Sequence, residues 1–146
     1  MHAISSFRAG VEAGDFASLP ALFAEDVVFR SPIAHKPYHG RDMLGLILGA
    51  VSKVFVDLSY DREIGAEGAA DHALVFTAKV GDLEINGCDF LHTGPDGLID
   101  EMTVMLRPLK AVNVFAEKMA VQFAAAMEAT PSTAPATSSE PASNPK

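Results

Sequence analysis

The sequence predicts an α+β domain, with helices on one face of a curved antiparallel sheet and a concave pocket between them. Apolar residues recur at helical spacing as far as Phe55, and from Asp57 the period changes to two. The alternating runs are separated by turn signals at Gly81-Asp82 and Gly94–Gly97. With 146 residues there is room for one such domain and no second.

The elements follow in order. Ile4, Phe7 and Val11 share one helical face, and Gly14 ends that helix. Asp15 is placed to cap a second, short helix over residues 16–24, kinked or curtailed by Pro20. Residues 26–32 (DVVFRSP) form a short strand, and residues 33–40 a loop carrying His35, Tyr38 and His39. Residues 41–55 show the broad apolar stripe of a packed helix. Strands are expected over residues 57–64, 72–80, 83–93 and 98–107, the last stopped by Pro108. Helical spacing returns at Val112, Phe115, Met119, Phe123 and Met127.

Composition sets the outer limits. The net charge is −8, and the 11 basic residues are scattered, which argues against nucleic acid and anionic membranes as partners. No apolar run approaches the ~18–20 residues of a membrane span. The opening segment MHAISSFRAGVEAGDF has no basic stretch followed by an apolar block, so no signal peptide is expected. The single cysteine, Cys88, excludes a disulfide scaffold, and a cytoplasmic location is the default. The folded domain is expected over residues 1–128. Residues 129–146, rich in Pro, Ala, Ser and Thr, cannot bury enough apolar area to offset chain entropy and read as a disordered tail.

Three stretches carry a family likeness: AGDFASLPALFAEDVVFRSP, YHGRDML and GCDFLHTGPDGLIDEMTVMLRP. They resemble the nuclear transport factor 2-like superfamily, and within it the SnoaL-like branch that holds polyketide cyclases and ketosteroid isomerases. The resemblance implies a conical α+β barrel around an internal pocket, a cystatin-like fold usually paired as a homodimer. It does not choose among isomerases, cyclases, dehydratases, hydrolases and binding modules, because this fold hosts all of them.

Asp89 is the leading candidate for chemistry. By the period of two it shares a strand face with Leu83, Ile85 and Leu91. A carboxyl among apolar side chains is desolvated and holds its proton to higher pH. The resemblance places Asp89, eight residues before Gly97, where the isomerases keep a protonated oxyanion donor. The alternative is an ion pair with Arg107 at a polar rim.

The resemblance also exposes two departures. The family's general base precedes the proline of the first strand, and Ser31 stands there. Its partner phenol lies on the first helix, at the position of Phe7. Ketosteroid isomerisation by the usual mechanism is therefore not expected. His35 and His39 are the candidate replacement bases, since histidine titrates near neutrality. Their spacing offers no third or fourth ligand, so no metal is expected.

Phe29, Ser31, Tyr38, Phe55, Tyr60, Met102 and Arg107 complete the candidate pocket, with Arg107 as a clamp for an anion or enolate or else a structural ion-pair partner. His92 falls on the sheet face opposite Asp89. Leu74, Phe76, Phe90 and Met105 are assigned to an outer face, which favours a homodimer. The expected function is a pocket for a small apolar or carbonyl-containing molecule, without a cofactor. The alternative is a cofactor-free isomerase, cyclase or dehydratase with Asp89 as its acid.

Overall fold

The computed structural model describes residues 2–129; the proposed tail falls almost wholly outside them. The chain runs α1 (Ala3–Ala13), a 3₁₀ helix (Phe16–Leu22), β1 (Phe23–Arg30), β2 (Tyr38–His39) and α2 (Arg41–Val54). It continues through β3 (Val56–Ile64), β4 (Asp71–Val80), β5 (Leu83–Thr93), β6 (Ile99–Arg107) and α3 (Leu109–Ala129). One six-stranded sheet, ordered β2-β1-β6-β5-β4-β3, curves around the helices.

The expected architecture holds, with local differences. Residues 16–22 wind as a 3₁₀ helix, with Pro20 inside it, and β1 begins three residues earlier than predicted. The Asp15 side chain does not cap this helix; it accepts from the Ser18 hydroxyl at 2.8 Å. The sheet is antiparallel except where β1 runs parallel to β6. That exception follows from the path: α2 carries the chain from β1 to the far edge, and the meander β3–β6 returns to lie beside β1.

The entry to α2 shows why Gly40-Arg41 belongs there. Gly40 sits at φ 99°, a conformation glycine tolerates best, and its N–H donates to the Val27 carbonyl at 2.8 Å. Arg41 donates through Nε and Nη2 to the Phe23 carbonyl, at 3.0 and 2.8 Å, fastening the helix to β1.

One apolar core joins the inner sheet face to the helices. Leu74 and Phe76, expected on the outer face, lie on the inner one and are fully buried, because β4 alternates His72, Leu74, Phe76, Ala78 and Val80 inward. Phe76 has an unusual seat. Gly87 is its cross-strand partner on β5, and a Cβ there would overlap Phe76 Cζ and stand 2.7 Å from Leu106 Cδ2. The missing side chain lets the Phe76 ring lie across β5, edge-on to Phe55 and Tyr60 with centroids 5.6 and 5.9 Å away.

Gly87→Ala should therefore lower stability by about 1–3 kcal/mol through overpacking. Thermal melts check this, and an unchanged melting temperature would mean that Phe76 has room to move.

Candidate functional site

The inner faces of β1, β3, β5 and β6 meet α1, α2 and α3 around a cavity of about 200 Å³. Its wall is almost wholly apolar. Phe55 of the α2–β3 corner stacks on Phe115 of α3, with centroids 4.9 Å apart and planes at 18°. Ala116, Met119, Ala120 and Phe123 of α3 form one side of the cavity, and Phe123 meets Tyr38 edge-on at 6.3 Å.

Asp89 enters this wall from β5, on the inward face that alternation predicts. Its Oδ2 accepts a hydrogen bond from Tyr60 Oη at 2.8 Å. The two residues stand on strands separated by β4, where Phe76 pairs with Tyr60 and Leu74 with Asp89. Burial pushes the Asp89 carboxyl up from an ordinary 3.8 to about 7, against a smaller downward pull from the Tyr60 hydrogen bond. Tyr60 is itself pushed above the ordinary phenol value, chiefly by burial and then by the adjacent Asp89 charge. The pair thus carries at most one negative charge near neutrality. With Asp89 protonated, the pair holds two O–H protons in an apolar wall, one engaged in the Tyr60–Asp89 hydrogen bond and one left to donate.

Seven predicted pocket residues line the cavity: Phe29, Ser31, Tyr38, Phe55, Tyr60, Asp89 and Met102. Ser31 Oγ accepts from the N–H groups of Ile33 and Ala34, at 2.8 and 3.2 Å. Both acceptor positions of that hydroxyl are used by the loop, so it has no lone pair with which to take a substrate proton.

Three predicted site residues lie outside the cavity. His35 is exposed in the loop before β2. His39 is exposed because alternation along β2 turns Tyr38 inward and its neighbour outward. Arg107 sits on the outward alternation of β6 and donates to Asn86 Oδ1 at 3.1 Å, away from Asp89. An Arg107–Asp89 ion pair is thereby replaced by the Tyr60–Asp89 hydrogen bond.

The other candidates face elsewhere. His92 lies on the outer face with its Nδ1 2.6 Å from Asp100 Oδ1, a contact that raises its pKa. Cys88 lies on the same outer face of β5, beyond Phe90, and partial burial, then the Asp89 charge, push its thiol up, away from the reactive thiolate. No group of three His, Cys, Asp or Glu able to hold a metal occurs among the described residues. No described helix is long and apolar enough to cross a membrane.

Sequence reasoning missed the pairing itself. The phenol sought on α1 comes from β3: Phe7 lines the cavity as a bare ring and Tyr60 brings the hydroxyl. Tyr60 was legible as an inward strand residue, but its reach across β4 to Asp89 depends on register and on the Gly87 gap. The contribution of α3 to the wall was visible only as a helical stripe.

Neither a protein-family model nor a curated protein sequence matches the chain. Solved structures do. A steroid delta-isomerase from Pseudomonas aeruginosa is 34% identical, with a TM-score of 0.81 over 87% of this chain and 93% of that one. A conserved bacterial protein with a cystatin-like fold from Silicibacter pomeroyi is 35% identical, with a TM-score of 0.78 over 88% of this chain and 95% of that one. A nuclear transport factor 2-like protein from Mesorhizobium loti shares the fold at 17% identity, with a TM-score of 0.64 over 73% of this chain and 88% of that one. With identity above a third across nearly the whole domain of the first two, and the cavity built as described, the chain belongs to the nuclear transport factor 2-like superfamily.

Proposed function

We propose that the protein binds a compact, uncharged molecule that is apolar except for one oxygen acceptor, such as a cyclic ketone or phenol. The observation that carries this reading is the Tyr60–Asp89 hydrogen bond at 2.8 Å in the wall of an otherwise apolar cavity. The Tyr60 proton is engaged by Asp89, so the protonated pair leaves one O–H donor, which suits one oxygen, and burial of the ligand's hydrocarbon supplies most of the affinity. Among the described residues no Lys, Arg or His lines the cavity, so a carboxylate or phosphate would find no counter-charge there. The similarity to a steroid delta-isomerase supports a carbonyl-bearing ligand. No cofactor enters this reading, and a cytoplasmic location goes with it.

One observation favours a second, catalytic reading. An acid that titrates at about 7 exchanges protons readily at neutral pH. On that reading the reaction is an isomerisation, cyclisation or dehydration in which Asp89 donates a proton to an oxygen. His35 and His39 lie outside the cavity, and both acceptor positions of Ser31 are taken, so the Asp89 carboxylate left after donation takes up the proton that the substrate releases.

The proposal includes a homodimer. All three helices pack on the inner face, leaving the outer face bare among the described residues. That face exposes Ile64 at 53%, Phe90 at 43% and Met105 at 59%. Apolar groups clustered on an uncovered sheet favour association, and a second copy presents the same surface.

Three measurements follow from this reading. Calorimetric titration with 2-naphthol should show binding that weakens about tenfold in Asp89→Leu and persists in Asp89→Asn, whose amide still donates. Equal affinity in all three proteins would remove Asp89 from the site.

Stability should also depend on pH through Asp89. The unfolded chain releases this proton near 3.8, whereas the folded protein keeps it to about 7. Between those values the folded state binds more protons, so rising pH destabilises it, and the loss is complete above 7. Asp89→Asn should therefore gain a few kcal/mol over wild type at about pH 8 and almost nothing at about pH 4. A gain independent of pH would contradict the raised pKa.

Light scattering at micromolar concentration should give a dimeric mass for the wild type and a monomeric mass for Met105→Glu. A monomeric wild type refutes self-association.

A further inference from the structure

Both backbone groups of Tyr60 are held by side chains of α1. Glu12 Oε2 accepts from the Tyr60 N–H at 3.2 Å, and Arg8 Nη2 donates to the Tyr60 carbonyl at 3.4 Å. Arg8 also reaches Glu63 on the same strand at 3.4 Å and pairs with Glu12, one helical turn on, at 3.7 Å. Its guanidinium carbon lies 5.8 Å from the centroid of the Tyr60 ring. Neither Arg8 nor Glu12 lines the cavity, although Phe7 and Val11 of the same helix do.

The place of this clasp matters. β3 is one of the two edge strands of the sheet, paired among the described strands only with β4. Its register with β4 shifts on both sides of Tyr60, between Val56 and Ser59 and again between Tyr60 and Arg62. An edge strand has no second neighbour to hold it, and register shifts add local twist. The strand is thus least constrained by the sheet at the residue whose hydroxyl must meet Asp89. α1 supplies the missing constraint there, through a carboxylate and a guanidinium fixed to each other.

We propose that Arg8 and Glu12 are positioning residues of the cavity: by holding the Tyr60 backbone they fix the phenol at Asp89 and so set the grip on an oxygen-bearing ligand. This rests on the binding reading above. A clasp that only attached the helix to the sheet would, when loosened, weaken every ligand alike. A positioning clasp affects ligands that use the donor pair and spares those that do not.

The experiment compares 2-naphthol with naphthalene, which has no oxygen, on the full chain. Glu12→Ala and Arg8→Met should each weaken 2-naphthol about tenfold, the scale of one misplaced hydrogen bond, and leave naphthalene unchanged. Glu12→Gln, which keeps an acceptor oxygen for the Tyr60 N–H, should restore wild-type affinity. In a Tyr60→Phe background Glu12→Ala should have no further effect, since no hydroxyl remains to be placed. Equal losses for both probes, or a full effect without the Tyr60 hydroxyl, overturn the proposal.

Failure of the wild type to bind 2-naphthol would sink the binding reading and leave this one testable by carbon-13 titration of the Asp89 carboxyl. The Tyr60 hydrogen bond lowers that midpoint, so a loosened phenol should raise it in Glu12→Ala but not in Glu12→Gln. An unmoved midpoint in Glu12→Ala removes the positioning role.

Discussion

A carboxyl group buried in hydrocarbon must be neutral, paired or strongly hydrogen-bonded, and much of this cavity answers that one constraint at Asp89. Among the described residues the structure supplies a single phenol from a neighbouring part of the sheet and no cation. That choice leaves the carboxyl with a high affinity for its proton. A guanidinium in the same place would have fixed the carboxylate as an anion and turned the site from a donor into an acceptor. The placement of Arg107 on the outer alternation of β6 is therefore as consequential for the cavity as the placement of Tyr60 inside it.

Reaching Asp89 from β3 requires β4 to yield space, and the packing shows how it does so. Phe76 occupies the register position between the two strands and lies into the gap at Gly87. The ring then packs edge-on against both Tyr60 and Phe55, so the residue that makes way also supports its neighbours. Phe55 in turn stacks on Phe115, tying the sheet to α3. A continuous aromatic chain thus walls much of the cavity, and Ser31, Pro32 and Ile33 of the loop after β1 complete it.

Most of the fold was legible in the sequence because its signals are local. The end of α1 at Gly14, the strand alternation and the turns after β4 and β5 each follow from a few neighbouring residues. The misreadings share a non-local cause. Phe76 was assigned to the outer face because alternation gives two faces without saying which is covered. Residues 16–22 form a 3₁₀ helix around Pro20, which a spacing pattern does not separate from a short α-helix. At the site, Asp89 was identified from alternation and resemblance, but Tyr60 was not identified as its partner. Their contact depends on strand order and on a glycine two residues from Asp89. His35 and His39 drew attention as titratable groups in a loop, and neither identity nor spacing reveals which side of the backbone faces the cavity.

The distribution of charge around Tyr60 extends the same physics outward. Arg8 and Glu12 act on Tyr60 through its backbone, from a partly solvated position where α1 meets the β3 edge, outside the cavity, where keeping their charges costs little desolvation. Moved into the cavity, either charge would pay that cost in full and would reset the protonation of Asp89, the glutamate by repelling its anion and the arginine by stabilising it. Acting through peptide groups lets ionic side chains constrain a neutral pair without adding charge to the cavity. The outer residues hold the geometry while the inner pair stays mostly uncharged below neutral pH. A site built to grip the oxygen of an uncharged ligand needs that separation, because its donors work only while no stronger acceptor or cation competes for them in the same apolar space.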